Sequence, residues 1–348
     1  MKTEVFPIDP LHIDPTDLEQ AAAIIRRGGL VAFPTETVYA LGADVFNRTA
    51  VEAVFRAKGR PATDPLIVHI ANAEQVNQVA SRMPLLAQQL AAAFWPGPLT
   101  LVLPRKESIP AEVSAGKYTV AVRLPAHPVI CSLIEEAGVP VVGPSANRFG
   151  HTSPTTAQHV LDDLDGHIDA VIDSGPTQIG VESTVLDVSR AEPRLLRPGG
   201  ITLEQLHPYI PDLKFVPAYL NETSAATGPG MLLTHYAPRA HLMLYDGSSD
   251  AVRMALIQGI TEQQQLGKLV GVLIIMDNPT CYEQAGAKVI HAGETLESAA
   301  SGLFRAMREL DSLGVDVILA DAPPAIGIGL AIRDRLIRAA SGQIIRVY

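Results

Sequence analysis

The chain has 348 residues, of which 47% are hydrophobic and 18% charged, and its formal net charge is −10. This is the make-up of a soluble α/β protein with room for two domains. No apolar run approaches the ~20 residues of a membrane-spanning helix, and the overall basic footprint of a nucleic-acid binder is absent.

The charge divides as −7 in residues 1–208 and −3 in the remainder. A local basic groove stays open, because Arg48, Arg56, Lys58, Arg60 and Arg123 could share one concavity. Cys131 and Cys281 lie far apart without metal-ligand company and read as reduced, buried thiols. The N-terminus MKTEVFPIDP shows no basic segment followed by an apolar stretch, so a cytoplasmic protein is expected.

In chain order, residues 17–27 predict a helix capped by Asp14 or Thr16 and closed by Gly28-Gly29. Leu30–Phe33 predicts a strand ended by Pro34. Thr35-Glu36-Thr37 then reads as the start of a helix running through Val38, Tyr39 and Leu41. Such a junction presents amides and hydroxyls together to a polar ligand, although plain capping would explain both threonines. A second helix starts from Thr49, with Val51, Val54 and Phe55 on one face. Gly59 and Pro61 stop it, leaving Lys58 and Arg60 where the chain turns sharply. They could converge on an anion or form a solvated basic cap; on such a loop, truncating either is expected to remove charge but little packing. In the strand 65–70, alternation sets Leu66, Val68 and Ile70 on one face and His69 with Ile67 on the other.

Residues 73–94 predict one or two helices ending at Trp95-Pro96-Gly97-Pro98, followed by strands at 99–104 and 118–124. In the second, Val120, Val122 and Leu124 face the core and Thr119, Ala121 and Arg123 the opposite side. Arg123 could grip a carboxylate with two prongs, or pair with a neighbouring acid. A helix at 128–137 and a strand at 139–142 lead into Gly143-Pro144-Ser145-Ala146-Asn147, a small-residue turn that a nucleotide could approach. Ser153-Pro154 is a normal helix entry. In 174–188, read as a turn and strand, Ser183 shares a face with Val181 and Val185, and Arg197 supplies one more cation.

Residues 208–239 lose periodicity and are rich in proline and glycine. That is too long for an idle connection, which suggests a functional lid. Beyond it, strands and helices alternate in βα order and imply a small parallel sheet. Gly327-x-Gly329 lacks the third glycine of a dinucleotide loop, so no nucleotide site is expected there. P-loop, zinc-hydrolase and serine-hydrolase motifs are likewise missing. What remains is a set of cations and hydroxyls suited to catalysis by positioning and charge neutralisation.

Seven ordered motifs carry a further resemblance: PTETVYALG at 34–42, KGRP at 58–61, PLIVHI at 65–70, WPGPLT at 95–100, RLP at 123–125, PSAN at 144–147 and GPGM with HYAP within 228–238. Together they resemble the long, two-domain form of the threonylcarbamoyl-AMP synthases over nearly the whole chain. One departure is Ala40, where the family pattern has glycine, a difference expected to touch backbone and not chemistry.

The resemblance implies a YrdC-like twisted mixed-sheet domain over 1–208, a linker or lid at 209–239 crossing the active site, and a smaller Rossmann-like parallel-sheet domain over 240–348. It implies that L-threonine, bicarbonate or CO2 and ATP, with Mg2+ on the nucleotide, give threonylcarbamoyl-AMP and pyrophosphate. The product would pass to a transferase complex that modifies the adenosine beside the anticodon of tRNAs. Lys58 and Arg60 would be catalytic, and Thr37, His69, Arg123 and Ser183 would bind threonine. Asp64, Thr119, Gly143, Ser145, Asn147, Ser153, Arg197 and Tyr236 would line the nucleotide side with Lys58 and Arg60. No membrane partner is implied, and a weak RNA contact is left open. Two other classes stay in view, an RNA-binding module without catalysis and an enzyme using carbamoyl phosphate.

Overall fold

The computed structural model describes residues 2–217, 228 and 236–348. Contacts divide the chain into two compact units, one holding 1–149, 153–178 and 182–232, the other 150–152, 179–181 and 233–348.

The first unit is built on ten strands: β1 (Glu4–Pro7), β2 (Val31–Phe33), β3 (Ala40–Asp44), β4 (Ile67–His69), β5 (Leu99–Pro104), β6 (Thr119–Arg123), β7 (Val141–Val142), β8 (Ala170–Asp173), β9 (Thr184–Asp187) and β10 (Arg194–Arg197). They form one mixed sheet in the order β1-β8-β2-β3-β7-β4-β6-β5-β9-β10. Helices α1 (Pro15–Arg26) and α5 (Pro128–Ala137) close one core, where Leu18, Ile25, Ile130 and Leu133 meet Val31, Phe33 and Ile172. A second core gathers Val51 and Val54 of α2 (Arg48–Lys58), Leu90 of α4 (Leu85–Phe94) and Val160 of α6 (Ala157–Leu164) against Val68, Val122 and Leu186. The short helices α3 (Val76–Val79) and α7 (Leu203–Leu206) complete the unit. The mixed α/β domain expected from the resemblance is therefore present.

Two local expectations are corrected. Thr35-Glu36-Thr37 opens no helix; the chain turns there and returns as β3, antiparallel to β2 with Phe33 opposite Ala40. The Thr35 hydroxyl accepts from the amides of Thr37 (3.1 Å) and Val38 (3.2 Å) and donates to the Val38 carbonyl (2.7 Å). This local pattern is the one an N-cap would make, so sequence cannot separate a turn from a helix start. The cap of α2 is Asn47, which accepts from the Ala50 amide, rather than Thr49. The core packed on α2 also extends past residue 208. Leu213 is buried in it, Ile210 and Phe215 pack against it, and Phe215 bridges Leu195.

The second unit follows the expected alternation: β11 (His241–Asp246), α8 (Ser249–Gln265), β12 (Val270–Ile275), α9 (Thr280–Gln284), β13 (Lys288–Gly293), α10 (Leu296–Ser312), β14 (Val317–Asp321), α11 (Gly329–Ala339) and an additional strand, β15 (Ile344–Arg346). Its sheet is parallel throughout, in the order β13-β12-β14-β11-β15. The lid expected at 209–239 falls mostly outside the described residues, including Pro229–Met231 and His235.

Candidate active site

Alternation along two neighbouring strands creates the site. β4 and β6 run parallel with His69 beside Arg123, and both side chains leave the sheet on the face opposite Val68 and Val122. Thr35 and Thr37 reach them from the β2–β3 turn. Gly143, which follows β7, passes directly over the imidazole: a Cβ there would lie 2.6 Å from His69 Nδ1, so only glycine allows the approach. These groups, with Val38, Ala40, Ser145, Glu182 and Arg197, line a cavity of about 30 Å³.

Arg123 is buried, and two of its three nitrogens are hydrogen-bonded. Nε donates to the Gly97 carbonyl (3.2 Å), one terminal nitrogen to Thr37 Oγ1 (2.9 Å), and the other lies 2.7 Å from Glu36 Oε2. The acid partner is thus a buried one, from the very turn whose sequence reads as a helix start. The Arg123 charge and, above all, burial hold the His69 imidazole well below its ordinary pKa. His69 is therefore neutral at pH 7, and its Nδ1 has no hydrogen-bond partner among the described residues.

Lys58 and Arg60 are buried, which corrects the expectation that truncation there would cost little packing. Lys58 Nζ donates to the carbonyls of Ser145 (2.5 Å) and Asn147 (2.6 Å), pinning the small-residue turn. Burial and the neighbouring Arg60 push its pKa well down, while Asp64 and Asp163 oppose the shift. Arg60 folds back on its own loop, donating to the carbonyls of Asp64 (3.0 Å) and Pro65 (2.8 Å) and pairing with the Asp64 carboxylate at 2.9 Å.

Two models of known families match the chain: one described as telomere recombination over residues 23–199, the other as the threonylcarbamoyl-AMP synthase C-terminal domain over 201–341. Threonylcarbamoyl-AMP synthase from Pyrococcus abyssi is 46% identical over 337 residues, covering 97% of both proteins. The Bacillus subtilis enzyme of the same name is 45% identical over 99% of this chain and 100% of its own. A crystal structure of P. abyssi Sua5 complexed with L-threonine superposes with a TM-score of 0.93 at 44% identity, over 99% of this chain and 100% of that one.

The chain belongs to the threonylcarbamoyl-AMP synthase family. Of the residues expected to bind substrate, the cavity brings together Thr37, His69, Arg123, Gly143, Ser145 and Arg197. Ser183 lies behind Arg197, which donates to its carbonyl (2.9 Å) and hydroxyl (3.1 Å), and it shares a hydroxyl contact with Thr100 (2.8 Å). Ser153 is no helix cap, since Thr156 caps α6; its hydroxyl bonds the Glu182 carboxylate. The Asn147 amide donates to the Arg148 carbonyl (2.7 Å). Thr119 sits at the opposite end of β6 from Arg123, ~13 Å away at strand rise. Tyr236 belongs to the second unit, where its ring stacks on Phe304 (5.7 Å) beneath the Arg335 guanidinium (5.2 Å).

Sequence reasoning misses Glu36 and Glu182 as parts of the site. The available signal is that each is an acid set among threonine or serine neighbours in an otherwise apolar stretch, PTETV and GVEST. Buried acids of that kind need partners. Ala40 lines the cavity and pairs through its backbone with Phe33 and Ser145.

Proposed function

We propose that this chain makes threonylcarbamoyl-AMP from L-threonine, bicarbonate or CO2 and ATP, releasing pyrophosphate, in the cytoplasm and for tRNA modification. The observation that carries the reading is the pairing of Arg123 with a neutral His69 on one cavity wall. Arg123 offers a planar fork for the threonine carboxylate, which would compete with Glu36 for it. The neutral His69 imidazole turns an Nδ1 that is unpartnered among the described residues to the cavity, where it accepts from or donates to a polar atom of the substrate according to its tautomer.

The threonine amine takes up CO2 to form a carbamate, one carbamate oxygen attacks the α-phosphorus of ATP, and pyrophosphate leaves. Two anions must meet, and no covalent bond to the protein is required. Arg197 on the cavity wall supplies positive charge, and Lys58 sets the position of the Ser145–Asn147 turn on the nucleotide side. Arg60 contributes through the loop that it holds with Asp64. Mg2+ would arrive on the phosphates of ATP.

The test is pyrophosphate release with each substrate withheld in turn. Release that needs threonine, bicarbonate and ATP together supports the assignment. Release that ignores threonine would point to carbamoyl-phosphate chemistry, and no release under any condition to a binding module.

A further inference from the structure

The second unit contains a crevice of about 490 Å³ at the carboxyl ends of its parallel strands. Its position follows from topology. β14 lies between β11 and β12 in the sheet. The connections leaving β11 and β12 run through α8 and α9, which pack together, whereas those around β14 run through α10 and α11, which also pack together. Strand ends whose connections leave to opposite faces splay apart, and open α/β sheets bind ligands there.

Each of the three strands brings one acid to this crevice: Asp246 ends β11, Asp277 follows β12 and Asp321 ends β14. Two of them are neutralised. Asp277 accepts from Arg253 (2.8 and 3.2 Å) and from the Tyr282 hydroxyl (2.7 Å), and Asp246 pairs with Arg333, which also donates to the Pro323 carbonyl (3.1 Å). Asp321 is different: one carboxyl oxygen accepts from the Ile275 amide (3.2 Å), and the residue has no ion pair among the described residues. Burial, assisted by the neighbouring Asp277, pushes its pKa up to about 7. A group left in that condition is stabilised by a ligand that donates hydrogen bonds to it. The same mouth carries Met276 in the left-handed region at φ 66°, a strained conformation for a residue with a side chain.

The surroundings select the kind of donor. Val252, Met276, Pro323 and Pro324 supply apolar wall, and the flat guanidiniums of Arg253 and Arg333 flank it, already charge-paired, so planar stacking is what they have to offer. A phosphate is disfavoured, because three carboxylates line the space and Asp250 occupies the first turn of α8. We infer that this crevice is a second ligand site that takes an unphosphorylated nucleoside, its ribose diol or base N–H edge on Asp321 and its base against the apolar wall. The volume suits a molecule of that size.

The inference is tested on the full-length protein by hydrogen–deuterium exchange in millimolar adenosine, with AMP and D-ribose as separate arms. Adenosine should protect peptides covering 246–253, 275–282 and 321–333, AMP should protect them roughly tenfold less well at equal concentration, and ribose alone should not protect them. Asp321→Asn, which retains the acceptor for the Ile275 amide, and Val252→Phe, which fills the wall, should each weaken the protection roughly tenfold while pyrophosphate release continues at the parent rate. Protection confined to the first unit, protection by AMP equal to that by adenosine, or protection unchanged in both variants would overturn the site as described.

Discussion

Replacing Arg123 by lysine probes the centre of the proposed threonine site. The guanidinium donates to Gly97 O and Thr37 Oγ1 and lies 2.7 Å from the Glu36 carboxylate. A lysine ammonium can keep the Glu36 pair but cannot span the other two acceptors. Each lost bond from a charged donor is worth about 1.5 kcal/mol at the low end, so the free protein should lose about 3 kcal/mol. At about 2–4 °C per kcal/mol for a unit of this size, the first transition should fall by roughly 6–12 °C. In catalysis the loss of a two-pronged carboxylate grip, about 1.5–3 kcal/mol, should raise the threonine KM by roughly 10- to 100-fold. The ATP KM should stay within about twofold, because ATP is not what this side chain is proposed to hold. Initial rates of pyrophosphate release with threonine and ATP varied separately decide the matter. Equal rises in both constants would assign Arg123 to the nucleotide or to structure alone, and an unchanged threonine KM would remove it from the site.

Other expectations follow from the same geometry. Glu36→Gln leaves a buried arginine without its counter-charge, a change that costs about 3–5 kcal/mol when no substitute is present; the thermal shift produced by L-threonine should then exceed that of the parent, and an equal shift would show that the carboxylate does not replace Glu36. Gly143→Ala forces a methyl to 2.6 Å from His69 Nδ1 and should abolish synthesis in a folded protein, checked by circular dichroism alongside the assay. Because burial lowers the His69 pKa, the unfolded chain binds a proton near pH 6.5 that the folded chain refuses; stability is complete above that pH and falls as pH drops below it, and His69→Asn should make the decline between pH 6.5 and 5 shallower. Burial, with Glu36 and Glu135 nearby, pushes the Cys131 thiol up to about 11, so alkylation at pH 8 monitored by mass spectrometry should leave it nearly untouched.

The parts of the site carried by strand periodicity are legible in the sequence. Alternation in PLIVHI and YTVAVRL puts His69 and Arg123 on the polar side of two strands, and the fold sets those strands side by side. The βα alternation of the second unit is equally readable, because its strands include continuous buried runs such as VGVLII. What sequence misses depends on contacts distant along the chain. β1 pairs with β8 across more than 160 residues, and nothing local to EVFP announces it. The return of the chain as β3 is hidden because Thr35 makes capping-type bonds in either conformation. The Glu36–Arg123 pair joins residues far apart in sequence, so no window that reads one can see the other. Local pattern puts Lys58 and Arg60 in the right loop but in the wrong environment: a basic loop normally points to solvent, and here nearby carbonyls and Asp64 draw both side chains inward.

The claim that matters most is that this chain joins a threonine carbamate to AMP. Incubating the full-length protein with ATP, L-threonine and 13C-bicarbonate, and weighing the nucleotides formed, tests it directly. The account predicts an adenylate carrying both the threonine mass and the single 13C, with one pyrophosphate released per adenylate. AMP or ADP appearing without a threonine-bearing, 13C-labelled adenylate would contradict it.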